Sequence, residues 1–296
     1  MLQQTTVAAV APKFQKFIER FPDAKTLSEA SEEEILRMCS GLGYYRRFKQ
    51  LKRTLEYFAQ LPTLKTTFPN EMQTWLDAPG IGPYTAAAVT SIAFNNPIAA
   101  VDANWERVLA RLFAIKGALR DSEVKKQIKR IAAEMIDHDD PGSFNQAIME
   151  LGQQVCKTKS PACDVCPIRP DCAGYARSLQ NEIPKAGEAK IWQMVRLNVN
   201  IPRKNDLVGI AQRTSDSFLL KGTRGFPLAV ESGALPKVIG TFKHTITHHK
   251  IHAKVSLTAE SHPGISWYPI ESVADNLVTS FDKKAWELAR KVLTSN

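Results

Sequence analysis

The segment CKTKSPACDVCPIRPDC constrains this chain more than any other. It places Cys156, Cys163, Cys166 and Cys172 within 17 residues, at gaps of six, two and five, while the fifth cysteine, Cys39, stands alone in a helical stretch and reads as a small buried apolar residue. Four thiols in one short loop, in a chain without a disulfide-rich composition, call for a metal centre. Structural zinc favours two close pairs around a longer knuckle, and only Cys163 and Cys166 make such a pair. A [4Fe–4S] cluster takes one thiolate per iron and tolerates uneven gaps, so spacing alone leaves both open. Lys157, Lys159, Arg169 and Arg177 add positive charge around the loop.

Ahead of that loop, from residue 1 to about 180, apolar residues recur at helical spacing in segments separated by short Gly- and Pro-bearing turns. The pattern starts almost at the first residue, with Leu2, Val7, Val10, Phe14, Phe17, Ile18 and Phe21, which predicts a helix running nearly from Met1. QNEIPKAGEAK at 180–190 is polar with Pro and Gly and reads as a linker. Beyond it the period becomes two in VRLNVNIP, LVGIAQR, KVIGTFKHTIT and HAKVSLTAE, and FDKKAWELARKVL closes as a helix. The expected organisation is a mainly α domain over 1–180 with a cysteine loop at 156–172, a linker over 181–190, and a smaller α+β domain over 191–296. A length of 296 residues at 44% apolar and 23% charged composition suits two ordinary soluble globular domains. The longest nearly apolar run, AAAVTSIAF, is too short to span a bilayer and the start lacks the pattern of a signal peptide, so the expectation is a cytoplasmic protein without membrane contact. Net charge is +9 and is concentrated late: residues 188–296 hold 15 Lys and Arg against 9 Asp and Glu, which favours a polyanionic partner.

A second signal is LDAPGIGPYTAAAVTSIAF, read as a helix, a PGIG turn and a second helix opening on Pro83. Gly80 and Gly82 allow the turn to expose N–H groups at a helix N-terminus, where a phosphate can sit without its sequence being read. Taken alone, two glycines also make an ordinary helix–helix turn. Further on, Asp102 in AAVDANWERVLARLF stands at the mouth of another helix, where its plain reading is an N-cap.

Hairpin, aspartate and a C-x6-C-x2-C-x5-C loop, in this order, resemble the helix-hairpin-helix DNA glycosylases of the endonuclease III superfamily, over most of residues 1–175. That resemblance implies a [4Fe–4S] cluster on the four cysteines and an Asp102 carboxylate beside the sugar, stabilising the oxocarbenium-like transition state, with Asn104 close by among the DNA contacts. It also implies a role for Tyr84, because members with lyase activity carry a lysine there whose amine attacks C1′. Tyrosine forms no imine, which favours a hydrolytic, monofunctional enzyme.

MLQQT, GLGYYRR and FNQAIMELG are similar to the adenine DNA glycosylases that remove adenine mispaired with 8-oxoguanine. By that resemblance Gln3, Gln4 and Tyr44 wedge into the duplex, Gln146 lies at the adenine pocket, and the partner is double-stranded DNA carrying A:8-oxoguanine or A:G mispairs, bound by a monomer. The C-terminal part resembles the Nudix-like domain these enzymes use to check the opposite strand, with Thr247 and His248 of GTFKHTITHHKIH on the lesion loop. It lacks the glutamate-rich helix of true Nudix hydrolases and is read as binding only. Three residues depart from the pattern: Ile246 stands where an aromatic is usual, Ala103 where glycine is usual, and Trp105 is large beside a substrate pocket. The glutamate that protonates adenine in this family lies two residues before the methionine of MLQQT, which here is Met1. The expectation is therefore that the chain binds the mispair but excises adenine slowly. The alternatives are an endonuclease III-like glycosylase/lyase and a catalytically impaired DNA-binding relative.

Overall fold

The structure, a computed structural model, describes residues 1–61, 68–185, 191–214, 216–230, 237–259 and 264–294. Helices α1 (Val7–Arg20), α2 (Ala24–Glu29), α3 (Glu32–Met38) and α4 (Arg46–Ala59) open the chain, followed by α5 (Met72–Leu76), α6 (Pro83–Phe94), α7 (Ala103–Leu112), α8 (Ser122–Met135), α9 (Pro141–Gln154) and α10 (Ala173–Ala176). Then come β1 (Gln193–Lys204), β2 (Leu207–Gln212), β3 (Arg224–Gly225), β4 (Leu228–Val230), β5 (Val238–Ile246), β6 (His249–Thr258) and β7 (Ile265–Pro269), with α11 (Val273–Asn276) and α12 (Ser280–Leu293) last.

Packing sorts these elements into two compact units, Met1–Leu55 with Lys190–Asn296, and Glu56–Ala189. The first helices thus group with the sheet instead of with the helices that follow them. The Val278 carbonyl shows why: it accepts from Tyr45 Oη at 2.8 Å, Ser40 Oγ at 2.9 Å and Gly41 N at 3.3 Å. Val278 also joins Leu36, Cys39 and Phe48 in one apolar cluster. One expectation is corrected here, since α1 begins at Val7 and the residues before it form a turn closed by Thr5 N on the Leu2 carbonyl at 3.1 Å. The apolar pattern that predicted an earlier start is divided, with Val10, Phe17 and Phe21 buried and Val7, Phe14 and Ile18 exposed.

In the sheet of this unit the order is β3-β2-β1-β6-β5, with β4 alongside β1 and β7 alongside β2. Strands β1 and β6 run parallel and the other pairs antiparallel. Alternation places Leu197, Val199, Ile251 and Val255 on one face, where Phe281, Ala285, Trp286 and Ala289 of α12 cover them. Below the sheet edge a buried Arg213–Asp282 pair, 2.6 and 3.0 Å, ties α12 to the end of β2, and Thr279 Oγ1 and Phe226 N donate to the same carboxylate.

The second unit is helical. Trp105, Leu109 and Ile128 centre one cluster, and Phe58 and Trp75 a smaller one. Ile183 is buried in the first of these, and Lys185 bridges to Ala118, so the expected linker is packed structure as far as residue 185 while 186–190 lie outside the described residues. No helix among the described residues is long and apolar enough to cross a membrane.

Candidate functional site

Three features converge on α7. At its N-terminus Asp102 is extended and caps the helix: Oδ1 accepts from Asn104 N and Trp105 N, both at 2.9 Å, and Oδ2 accepts from Asn104 Nδ2 at 2.7 Å. The plain N-cap reading is borne out, and Asp102 is a carboxylate held in one orientation by three donors. Asn104 Oδ1 in turn accepts from Arg107 Nη2 at 2.8 Å, and Arg107 also donates to the Gly152 carbonyl at 2.7 Å and, through Nε, to the Cys156 carbonyl at 2.8 Å. One turn later Arg111 donates to Cys156 Sγ at 3.3 Å and to the carbonyls of Lys157, Thr158 and Ile183. Both arginines are buried, and α7 connects Asp102 to the cysteine loop through them.

The turn before α6 has the expected form. Gly80 adopts φ +83°, and Gly82 is extended with open space where a Cβ would stand. Pro83 follows at the first helical position. Tyr84, half-exposed on α6, donates to Met149 Sδ at 3.8 Å. Burial, and then the Asp102 charge, hold its phenol above the usual range, so it is a neutral hydroxyl at physiological pH. Glu106, one turn along from Asp102, is also pushed up, by burial first and then Asp102, against the pull of Lys125 and Lys129.

Gln146 is exposed on α9, its amide on the Gly142 carbonyl at 3.1 Å. Its neighbour Asn145 is the residue that sequence reasoning missed. Fully buried, Asn145 accepts from Ala100 N at 2.8 Å and donates to Ser91 Oγ and the Ile98 carbonyl, stitching α9 and α6 to the segment that delivers Asp102. Trp105 is fully buried against Phe144, at 5.9 Å between centroids, so its bulk points into the core and not toward a substrate.

All four cysteines line one small cavity of about 30 Å³, together with Arg111, Val155, Ile168 and Arg169. Among the described residues no three His, Cys, Asp or Glu side chains meet closely enough to hold a single metal ion. Burial and then the neighbouring cysteines hold the Cys163 and Cys166 thiols above their usual range.

In the other unit Arg47 gathers the N-terminal candidates. It donates to the Gln3 carbonyl, to Thr5 Oγ1 at 2.7 Å and to the Leu42 carbonyl at 3.2 Å. This brings MLQQT against GLGYY, with Gln4 and Tyr44 both at positive φ, +55° and +46°, and both exposed. Tyr45 is the core member of the tyrosine pair. Thr247 and His248 form the exposed two-residue turn between β5 and β6, Thr247 at φ +54°. Ile246, just before them, packs toward the core. The histidines divide as strand alternation requires: His249 is buried, His244 packs on Phe281, and His252 belongs to the opposite face.

Residues 1–134 match the HhH-GPD superfamily base excision DNA repair protein family. It is 30% identical over 223 residues to the adenine DNA glycosylase of Buchnera aphidicola subsp. Acyrthosiphon pisum, covering 75% of this chain and 61% of that one. To the adenine DNA glycosylase of Schizosaccharomyces pombe it is 38% identical over 213 residues, 70% of this chain and 45% of that one. The solved structure of a thermostable thymine-DNA glycosylase superposes with a TM-score of 0.52 at 25% identity, over 60% of this chain and 80% of that one. The chain thus spans 61% or less of these two curated relatives.

Proposed function

We propose that this chain acts in base excision repair as a monofunctional adenine DNA glycosylase, hydrolysing the N-glycosidic bond of adenine opposite 8-oxoguanine or guanine in duplex DNA. The observation that carries the reading is Asp102, a carboxylate fixed by three hydrogen bonds at the start of α7, downstream of a glycine hairpin that offers N–H groups to a phosphate. As the bond to adenine breaks, positive charge grows on the sugar, and a carboxylate that is already oriented stabilises it without reorganising. Tyr84 carries no amine, so nothing at that position forms a covalent adduct, and water completes the reaction. Exposed Tyr44, Gln3 and Gln4 suit insertion into the stack that a flipped adenine leaves, Gln146 suits the rim of its pocket, and Thr247 and His248 suit the opposite base. The C-terminal unit is read as a Nudix-like domain that binds and does not hydrolyse.

Cys156, Cys163, Cys166 and Cys172 would hold a [4Fe–4S] cluster. Tetrahedral zinc needs all its sulfurs about 2.3 Å from one point, whereas a cubane spreads them over separate irons around a central volume, and four thiols lining one cavity without meeting at a point suit the second. When bound, the cluster would supply structure, cross-linking the loop that Arg111 anchors to α7.

Single-turnover excision on an A:8-oxoguanine duplex tests the reading. Product strands should break only after alkali, borohydride should trap no complex, and Asp102→Asn should lower the rate by about 100- to 1,000-fold. A duplex with a cationic pyrrolidine sugar at the adenine position should bind the wild type at least ~10-fold more tightly than Asp102→Asn, because it carries the charge of the transition state. Equal rates and equal analogue affinity in the two proteins overturn the assignment.

A further inference from the structure

The sheet has a second face that the site above does not use. Residues paired in register lie on the same side, so Arg196 of β1, His252 of β6 and Lys243 of β5 form one cross-strand row, with Lys250 and Lys254 on either side of His252 along β6. The opposite face is the one α12 covers, through Phe281 against Phe242 and His244. Arg196, Lys243 and Lys250 are exposed, and β1, β4, β5 and β6 contain not one Asp or Glu. At one end, where β5 turns into β6 at Thr247 and His248, Lys250 lies over the Trp192 ring at 5.1 Å. Toward the other end Asn198, paired with Lys254 and only 4% exposed, keeps its Oδ1 without a hydrogen-bond partner.

Exposed cations in register on strands that carry no Asp or Glu suit a partner that brings negative charge along the length of the face. We propose that this face binds the phosphodiester backbone of a DNA strand, extending from the Thr247–His248 turn along β6. The inference rests on the reading of that turn as the lesion-facing end. Strand spacing puts Arg196 and Lys243 about 10 Å apart, and the rise along β6 puts Lys250 and Lys254 about 13 Å apart. A DNA strand lying along that length presents roughly four phosphates, enough for each cation to meet one. Contacts of this kind carry affinity and register but no sequence.

The test uses the full chain and an undamaged duplex, so its outcome depends neither on excision nor on lesion preference. Binding is measured from low to moderate salt for the wild type and for the triple variant Arg196→Gln/Lys243→Gln/Lys250→Gln. The slope of log affinity against log salt should fall in magnitude by about 2 to 3, close to one per phosphate contact removed. At ~0.1 M salt the affinity loss should be on the order of 10- to 100-fold. Arg196→Lys, which keeps the charge, should keep the slope. An unaltered slope in a triple variant with wild-type thermal stability overturns the proposal even if Asp102→Asn behaves as expected, and a lost slope with an inert Asp102 supports the face while removing the glycosylase reading.

Discussion

At the scale of single residues, the candidate side chains for chemistry are easier to read from the sequence than the ones that hold them. The four cysteines and the hairpin glycines have spacing to mark them and Asp102 has its place in the resembled order of motifs, whereas Asn145, Arg107 and Arg111 look like ordinary helix residues until partners from distant segments are in place. No local pattern separates a buried arginine from a solvated one, because most of the carbonyls it satisfies lie 45 residues or more away in the chain. Cys39 shows the converse, a residue whose plain reading is borne out. It is fully buried, and burial pushes its thiol up to about 12. Since only the thiolate reacts, roughly one part in 10,000 is ionised at pH 8. Iodoacetamide should therefore leave Cys39 unmodified in the native protein over hours and label it promptly in denaturant, as read by peptide mass spectrometry. Native labelling as fast as that of an exposed thiol would show that the burial is wrong.

Elements approach one another where glycine removes a side chain, and these contacts predict which helices tolerate substitution. A Cβ on Gly152 of α9 would stand 2.6 Å from Asn104 Cβ on α7, and one on Gly174 of α10 would stand 2.4 Å from the Arg111 carbonyl oxygen. Neither neighbour is the free end of a flexible chain, so Gly152→Ala and Gly174→Ala should each cost about 1–3 kcal/mol of stability. Gly152→Ala should also slow excision more than it weakens DNA binding, since the displaced Asn104 donates to Asp102. Gly82 is the control: it is extended, with nothing within 4 Å of its Cβ position, so Gly82→Ala should leave the thermal midpoint nearly unchanged. Its effect should fall on DNA affinity, if the turn approaches a phosphate. Destabilisation by Gly82→Ala equal to that by Gly152→Ala would contradict this division. Helical period marked the run of helices up to about residue 180, and the period of two located β1, β2, β5 and β6. It missed β3, β4 and β7, whose few residues are held by pairing with β1 and β2 and not by their own alternation.

For the whole molecule, linear order is a poor guide to what packs with what. Composition and period both change near residue 190, which makes removal of everything beyond residue 187 look like a clean way to isolate the helical part and measure what the sheet adds to mispair discrimination. The packing argues otherwise, because Met1–Leu55 groups with Lys190–Asn296. Truncation removes Val278, and with it the carbonyl that satisfies Tyr45 Oη, Ser40 Oγ and Gly41 N and one wall of the cluster holding Leu36, Cys39 and Phe48. A buried donor left unmatched costs about 1–3 kcal/mol, and here Tyr45 Oη and Ser40 Oγ lose their acceptor together, while Gly41 N keeps Tyr45 Oη at 3.0 Å. Residues 1–55 should therefore lose hydrogen-exchange protection in the truncated chain, while Trp105, Leu109 and Ile128, which draw on residues 56–189 alone, should keep theirs. Cys39 gives a second readout, becoming open to iodoacetamide in the truncated chain under conditions that leave it untouched in the full one. Any fall in mispair discrimination after such a cut then reports the loss of order around Tyr44 and Gln3 as well as the loss of Thr247 and His248, and point substitutions in the turn are the cleaner comparison. Wild-type protection of residues 1–55 and an inert Cys39 after truncation would mean that the first helices fold independently of the sheet, and the grouping of the two would carry no energetic weight.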